Sequence, residues 1–315
     1  MIKIFYRQDG RIESCQSETE LAVISKDAVL WIDLLQPSGD QKRAVEAYLG
    51  TEIQSRAEAE EIESSSRFSE TENAIFANTN FLMPGPEDYS MEAVSFTFVG
   101  NCLTTLRDVP LRSFTELQRR IVAMPQSYPN GYTVFASIMD QRVDLDADMI
   151  ELMSKEISQY SKRINQQEDI DEDFLLDINQ LQENTMLVRE NIVDKQRLIS
   201  NMIRSDKYPQ ELQGRFSVLL QDITSLINHT NFSFERLEYL QDTVVGLINL
   251  DQNKIMKIFT LVSVLLMPPT LVASFYGMNV PMPLMDKGWT WVLLLGVMLL
   301  TVALVMFLFR KNKLL

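Results

Sequence analysis

The sequence predicts an α/β domain at the N-terminus, then long helices, then a two-helix transmembrane hairpin. Three observations carry this reading. Short β-rich runs separated by turn signals fill roughly the first 110 residues. No proline interrupts the chain from Gln210 to Met267, and the pattern there is helical. No charged residue occurs from Ile258 to Met285, or from Gly288 to Phe309. The domain boundaries that follow are 1–132 for the α/β domain, 133–253 for the long helices and 254–315 for the hairpin with its basic tail.

The elements follow in order. Lys3–Arg7 and Arg11–Cys15 flank Asp9-Gly10, a tight hairpin signal. Val29–Leu35 reads as a strand closed by Pro37-Ser38-Gly39, and that turn starts a helix around Asp40–Tyr48. Asn73–Leu82, Ala93–Gly100 and Cys102–Asp108 complete a sheet, with Pro84-Gly85-Pro86 breaking the first two. From about Thr133 the pattern is helical, in segments near 133–167, 171–205 and 210–276. The breaks are the acidic run Glu168–Asp173 and a turn at Pro209. A continuous helix over the last segment would be about 100 Å long at 1.5 Å per residue. A helix so long exposes much surface, so packing against copies of itself is expected.

Charge and composition exclude several classes. The net charge is −14, yet the chain from Lys254 onward holds six basic residues and one acid, or +5, which leaves −19 on the preceding residues. So acidic a body argues against nucleic acid and for cations as partners. Cys15 and Cys102 are too few for a disulfide framework, and His229 is the single histidine. The N-terminus has no apolar segment of the signal-peptide kind. No glycine-rich phosphate loop and no Ser/His/Asp arrangement is present, so no enzyme activity and no cofactor are expected.

A bilayer is crossed by about 20 apolar helical residues. Spans are placed at about 256–276 and 289–309, with an outer loop over 277–288. Lys254, Lys257, Arg310, Lys311 and Lys313 flank the outer ends of this hairpin, whereas the loop has only Asp286 and Lys287. The positive-inside rule then puts both termini in the cytoplasm, with Trp289 and Trp291 as an aromatic anchor at the far interface.

The first span is more than an anchor. It contains Pro268-Pro269, and alternating steps of three and four pick out Asp242, Gly246, Asn249, Asn253, Met256, Thr260, Ser263, Met267, Thr270 and Ser274. Small and hydroxyl residues on one seam serve close helix packing. They equally serve a pore wall, because polar groups are tolerated at membrane depth where they line water. On the second reading Met256 and Met267 are hydrophobic constrictions that gate by dewetting.

With Tyr276-Gly277-Met278-Asn279 directly after a proline-containing first span, then a second span and a basic tail, the chain resembles the CorA family of divalent-cation channels. Lys257–Asn279 as a whole is similar to that family's first span. Leu30–Gln41, with its Trp-x-Asp element, and Phe135–Met153 are similar to upstream family segments. The resemblance implies a funnel-shaped homopentamer in the plasma (inner) membrane, in contact with lipid. Gly277, Met278 and Asn279 would form the selectivity filter. Asn279 would ring the outer mouth and receive hydrated Mg2+, an ion that gives up its waters reluctantly. Ser274, Thr270, Ser263, Asn253, Asn249 and Asp242 would line the pore, with Met267 and Met256 as gates. Asn279 and Asp242 would be the metal-site residues, Asp242 collecting cations at the cytoplasmic end. The family also closes when intracellular Mg2+ is high, so Mg2+ is both the transported and the expected regulatory ion. The acidic tip Glu168, Asp169, Asp171, Glu172 and Asp173 would face a basic ring of Lys254, Lys257, Arg310, Lys311 and Lys313. A solvated turn with capping carboxylates explains the same acids. Entry of a divalent ion needs no nucleotide, since each charge gains about 2.3 kcal/mol per 100 mV.

The outer loop departs from the family pattern. Met282-Pro283 is present, but Leu284 stands where magnesium members often carry Glu, and Asp286 is the loop's one acid. Some relatives that share the tripeptide move Zn2+, and Co2+ or Ni2+ passes through others, so ion identity stays open on sequence. A membrane-anchored structural or sensor protein is the alternative from another class.

Overall fold

Ile2–Gln8 (β1) and Arg11–Cys15 (β2) form a hairpin whose turn residues Asp9 and Gly10 both take positive φ, 49° and 77°. That geometry matches the right-handed twist of the strands. Val29–Leu35 (β3) is buried almost throughout, as a strand covered on both faces must be. Ser38 starts the helix Gly39–Leu49 (α1) with a capping box to Gln41, and Gly50 ends it at φ 75°. Phe68–Glu70 (β4), Ala74–Pro84 (β5), Tyr89–Val99 (β6) and Cys102–Arg107 (β7) complete the sheet. Arg112–Ala123 (α2) follows, then three long helices: Gly131–Gln166 (α3), Glu172–Arg204 (α4) and Gln213–Tyr276 (α5). Thr290–Lys311 (α6) comes last. This computed structural model describes residues 1–54, 67–85, 89–166, 170, 172–278, 280 and 287–311.

The α/β domain, the long helices and the two apolar helices expected from sequence are all present. The sequence reading omitted β4 and α2. The strand order is β2-β1-β3-β7-β6-β5-β4, with β3 and β7 parallel and every other pair antiparallel. One face of the sheet carries Ile4, Ile32, Leu34 and Leu106 against Val45 and Leu49 of α1. The other carries an aromatic layer. Trp31 stacks on Phe5 at 5.1 Å between centroids and tilts against Phe114 of α2 at 5.8 Å. Phe96 meets Phe135 of α3 edge-on at 5.0 Å. Gly131 opens α3 beside β7, where a Cβ would lie 2.5 Å from the Leu103 nitrogen, so only glycine allows this approach.

The Trp-x-Asp element has a structural explanation. Trp31 and Asp33 point to the same face of β3, two residues apart. Trp31 Nε1 donates to Thr105 Oγ1 at 3.0 Å, and that hydroxyl donates to Asp33 Oδ1 at 2.9 Å. Arg107 grips Asp33 with Nε and Nη2 at 3.1 and 2.7 Å, and Gln118 Nε2 adds a further bond at 2.7 Å.

A second buried polar network joins α3 and α4 to β5. Lys195 Nζ pairs with Asp146 at 2.6 Å, with 0% and 1% of the two side chains exposed. Arg142 donates to the Leu82 carbonyl, and Asn191 Nδ2 donates to the Asn80 carbonyl at 2.6 Å. Asp194 accepts from Arg67 and from Thr79 Oγ1. Burial pushes the Lys195 amine from an ordinary 10.5 down to about 8; Asp146 opposes the shift and Arg142 adds to it. The folded state therefore binds fewer protons at Lys195 than the unfolded state, so this group's contribution to stability rises from pH 8 to pH 10.5. Buried tyrosines and cysteines titrate with the opposite sign, so the effect is read as a difference. Below pH 8, Lys195→Met should destabilise, because it leaves the buried Asp146 carboxylate to the looser pairing with Arg142 at 3.5 Å. The melting temperature of Lys195→Met relative to wild type should fall as pH rises toward 10.5, and a flat difference would refute the assignment.

The chain separates into two units, Met1–Gln241 and Asp242–Leu315, and α5 belongs to both.

Candidate functional site: the polar stripe of the first membrane helix

α5 continues through Pro268 and Pro269 as one helix. Neither proline has an N–H, so the carbonyls of Val264 and Leu265 have no donor four residues on. Elsewhere the helix satisfies its own polar groups. Thr260 Oγ1 donates to the Met256 carbonyl at 2.8 Å, and Thr270 Oγ1 to the Leu266 carbonyl at 2.7 Å. With their protons turned back onto the helix, these hydroxyls offer lone pairs outward, which suits the hydrogens of a cation's bound water.

All ten stripe positions from Asp242 to Ser274 are exposed, including both methionines, Met256 at 62% and Met267 at 68%. The half-covered residues of the same helix are Leu261, Val264, Leu265, Pro268, Pro269, Val272 and Tyr276. At about 100° per residue these fall roughly opposite the stripe. On α6, Leu294, Met298, Thr301, Val302, Val305 and Phe309 are the half-covered positions, again a single seam. Each of these two helices thus has one half-covered seam, and on α5 the polar stripe lies outside it, as do the exposed apolar residues Phe259, Val262 and Leu266. Both helices are long and apolar enough to cross a membrane, and neither apolar stretch is buried.

At the top of α5, Gly277 N donates to the Ala273 carbonyl at 3.0 Å, and Met278 N to Phe275 at 3.4 Å. A Cβ on Gly277 would lie 3.2 Å from the Ala273 oxygen, tighter than ordinary contact. Gly277→Ala is therefore expected to displace the last turn of α5, with the far-ultraviolet circular dichroism unchanged.

The remaining sequence candidates divide in two. Asn279, Asp286, Lys313, Glu168, Asp169 and Asp171 lie outside the described residues, as does the side chain of Glu172. Asp173, Lys257, Arg310 and Lys311 are exposed, and Lys254 pairs with Asp251 at 2.8 Å on the surface. Among the described residues no group of three or more His, Cys, Asp or Glu is placed to hold a metal ion. Phe232 and Tyr239 precede Gly246 at seven-residue spacing and are exposed at 64% and 69%.

The family model for CorA-like Mg2+ transporter proteins matches residues 26–311. The chain belongs to the CorA family. A curated relative, the magnesium transport protein CorA of Wolinella succinogenes, is 32% identical over 319 residues, covering 99% of each chain. The protein of that name from Campylobacter jejuni (strain RM1221) is 32% identical over 296 residues, 90% of each. The complete structure of the CorA magnesium transporter from Methanocaldococcus jannaschii superposes with a TM-score of 0.81 at 16% identity, covering 99% of this chain and 98% of that one. At that identity the likeness establishes the CorA fold and no more. As a CorA-family member this chain is a membrane protein, and α5 and α6 are its membrane helices.

Proposed function

We propose that the chain assembles with copies of itself into a channel that passes hydrated Mg2+ into the cytoplasm, with both termini on the cytoplasmic side of the inner membrane. One observation carries this: the exposed polar stripe of α5 lies opposite that helix's covered seam and leads directly into Gly277-Met278. A lone helix has no reason to show Asn, Ser and Thr to hydrocarbon. Copies around an axis turn the same stripe into a wetted wall. The curated relatives named as magnesium transport proteins support the choice of ion.

In this reading five copies meet, and Asn279 from each closes the outer ring. Amide oxygens accept hydrogen bonds from the ion's waters without removing them, whereas carboxylates would hold the ion and slow its exit. Ser274, Thr270 and Ser263 continue the wall, Met267 and Met256 form apolar constrictions, and Asn253, Asn249 and Asp242 receive the ion below. Divalent ions bound among the acidic residues of the first unit close the channel, which makes Mg2+ its regulator as well as its cargo. A zinc reading is not favoured, because the stripe offers no His or Cys ligand.

The test is uptake by the purified protein in liposomes with an inside-negative potential. Mg2+ entry that Zn2+ competes with only weakly is expected. Preferred Zn2+ entry, or none of either ion, overturns the proposal.

A further inference from the structure

The basic residues of the membrane unit are not on the stripe. Lys254 lies roughly opposite it at 100° per residue, and Lys257 lies on its flank. On α6, Arg310 and Lys311 both fall well away from the covered seam of that helix. All four side chains are exposed. Lys257 immediately precedes the charge-free run that starts at Ile258, and Arg310 immediately follows the run that ends at Phe309. These cations therefore stand at the edge of the apolar belt and off the polar stripe, Lys254 and Lys257 on the side of α5 that carries its covered seam, Arg310 and Lys311 away from the seam of α6. Among the described residues, the carboxylate that pairs with one of them is Asp251, on Lys254 at the surface. At the other edge of the belt Lys287 is the one charged residue described. A side chain at that depth, facing outward, meets lipid headgroups.

We propose that Lys254, Lys257, Arg310 and Lys311 form a headgroup-binding collar for anionic phospholipid in the cytoplasmic leaflet. Guanidinium and ammonium groups match a phosphodiester by charge, and Arg310 can grip it with two parallel hydrogen bonds. Lysine and arginine stems lie along the acyl boundary while their heads reach the phosphates. The collar rests on the orientation given above. It goes beyond that reading by assigning these cations to lipid, not to the ion path.

The test uses full-length protein in detergent, titrated with phosphatidylglycerol or phosphatidylcholine and followed by native mass spectrometry. Phosphatidylglycerol should bind in preference, and added salt should weaken it. Arg310→Gln/Lys311→Gln should weaken that preference by roughly tenfold to thirtyfold, the effect of two interfacial charges. Lys287→Gln should leave it intact. Asn279→Ala should leave it intact too, so lipid preference is readable even if the channel reading fails. A thermal melt separates loss of the collar from loss of fold. Equal retention of the two lipids, or an undiminished preference in the double variant, overturns the collar. So does phosphatidylglycerol binding that appears only after Asp171→Asn/Asp173→Asn, because the acidic tip would then be the collar's occupant.

Discussion

Asn279→Ala is expected to abolish selective Mg2+ uptake while the protein still folds and reconstitutes. The argument starts from what an amide ring does. A hydrated divalent ion presents polarised water hydrogens, and each Asn oxygen can accept one. Hydrogen bonds to a charged partner contribute about 1.5–3 kcal/mol each. Because every subunit carries the substitution, even one effective bond lost from the ion costs about tenfold or more. Without the amide oxygens of the proposed ring, less strongly hydrated cations should leak where Mg2+ is no longer held. Asn279→Asp should fail differently, with tighter Mg2+ binding and slower flux, because carboxylates in the proposed ring would hold the ion. Uptake in proteoliposomes, read with a Mg2+ indicator at two potentials, separates the two variants. Wild-type flux in Asn279→Ala would remove the selectivity ring from the proposal, whatever the identity of the conducted ion.

Much of this architecture was legible because local signals agreed with the fold. Val29–Leu35 reads as a strand and is one; Asp9-Gly10 reads as a hairpin turn and takes the required positive φ. The stripe was legible through spacing alone, since steps of three and four do not depend on partners. The α2 helix was overlooked although Phe114, Leu117 and Ile121 mark one face at helical spacing. β4 is three residues long, too short for a period of two to stand out. Pro268-Pro269 would locally argue for a helix end, yet α5 passes through them. In a membrane the helix is the form that satisfies backbone groups, so context overrides the local preference. What no local pattern could show is pairing at a distance. Asp33 meets Arg107 across 74 positions, and nothing near either residue announces the other. Lys195 and Asp146 likewise read as ordinary polar positions on two helices, whereas the fold buries both completely.

Asp33→Ala should lower the melting temperature of the first unit more than any surface change. The carboxylate is 3% exposed and Arg107 5%, so neither charge has water to fall back on. Arg107 also sits over the Phe114 ring at 4.6 Å, which holds the guanidinium in place between sheet and α2. Removing the acid leaves that cation buried without its partner, and strands Thr105 Oγ1 and Gln118 Nε2 as donors. Breaking a buried pair in this way costs about 3–5 kcal/mol. For a unit of this size each kcal/mol moves the melting temperature by about 2–4 °C, so a fall of roughly 6–20 °C is expected. The pair's own net worth is a separate quantity, because burying both charges was costly in the first place. Asp33→Leu/Arg107→Met should therefore recover a large part of the loss by removing both charges at once. A single variant that melts with wild type would show that solvent reaches Arg107. A double variant no better than the single would shift the cost from the stranded charge to packing around Trp31, whose indole is tied to the same network through Thr105.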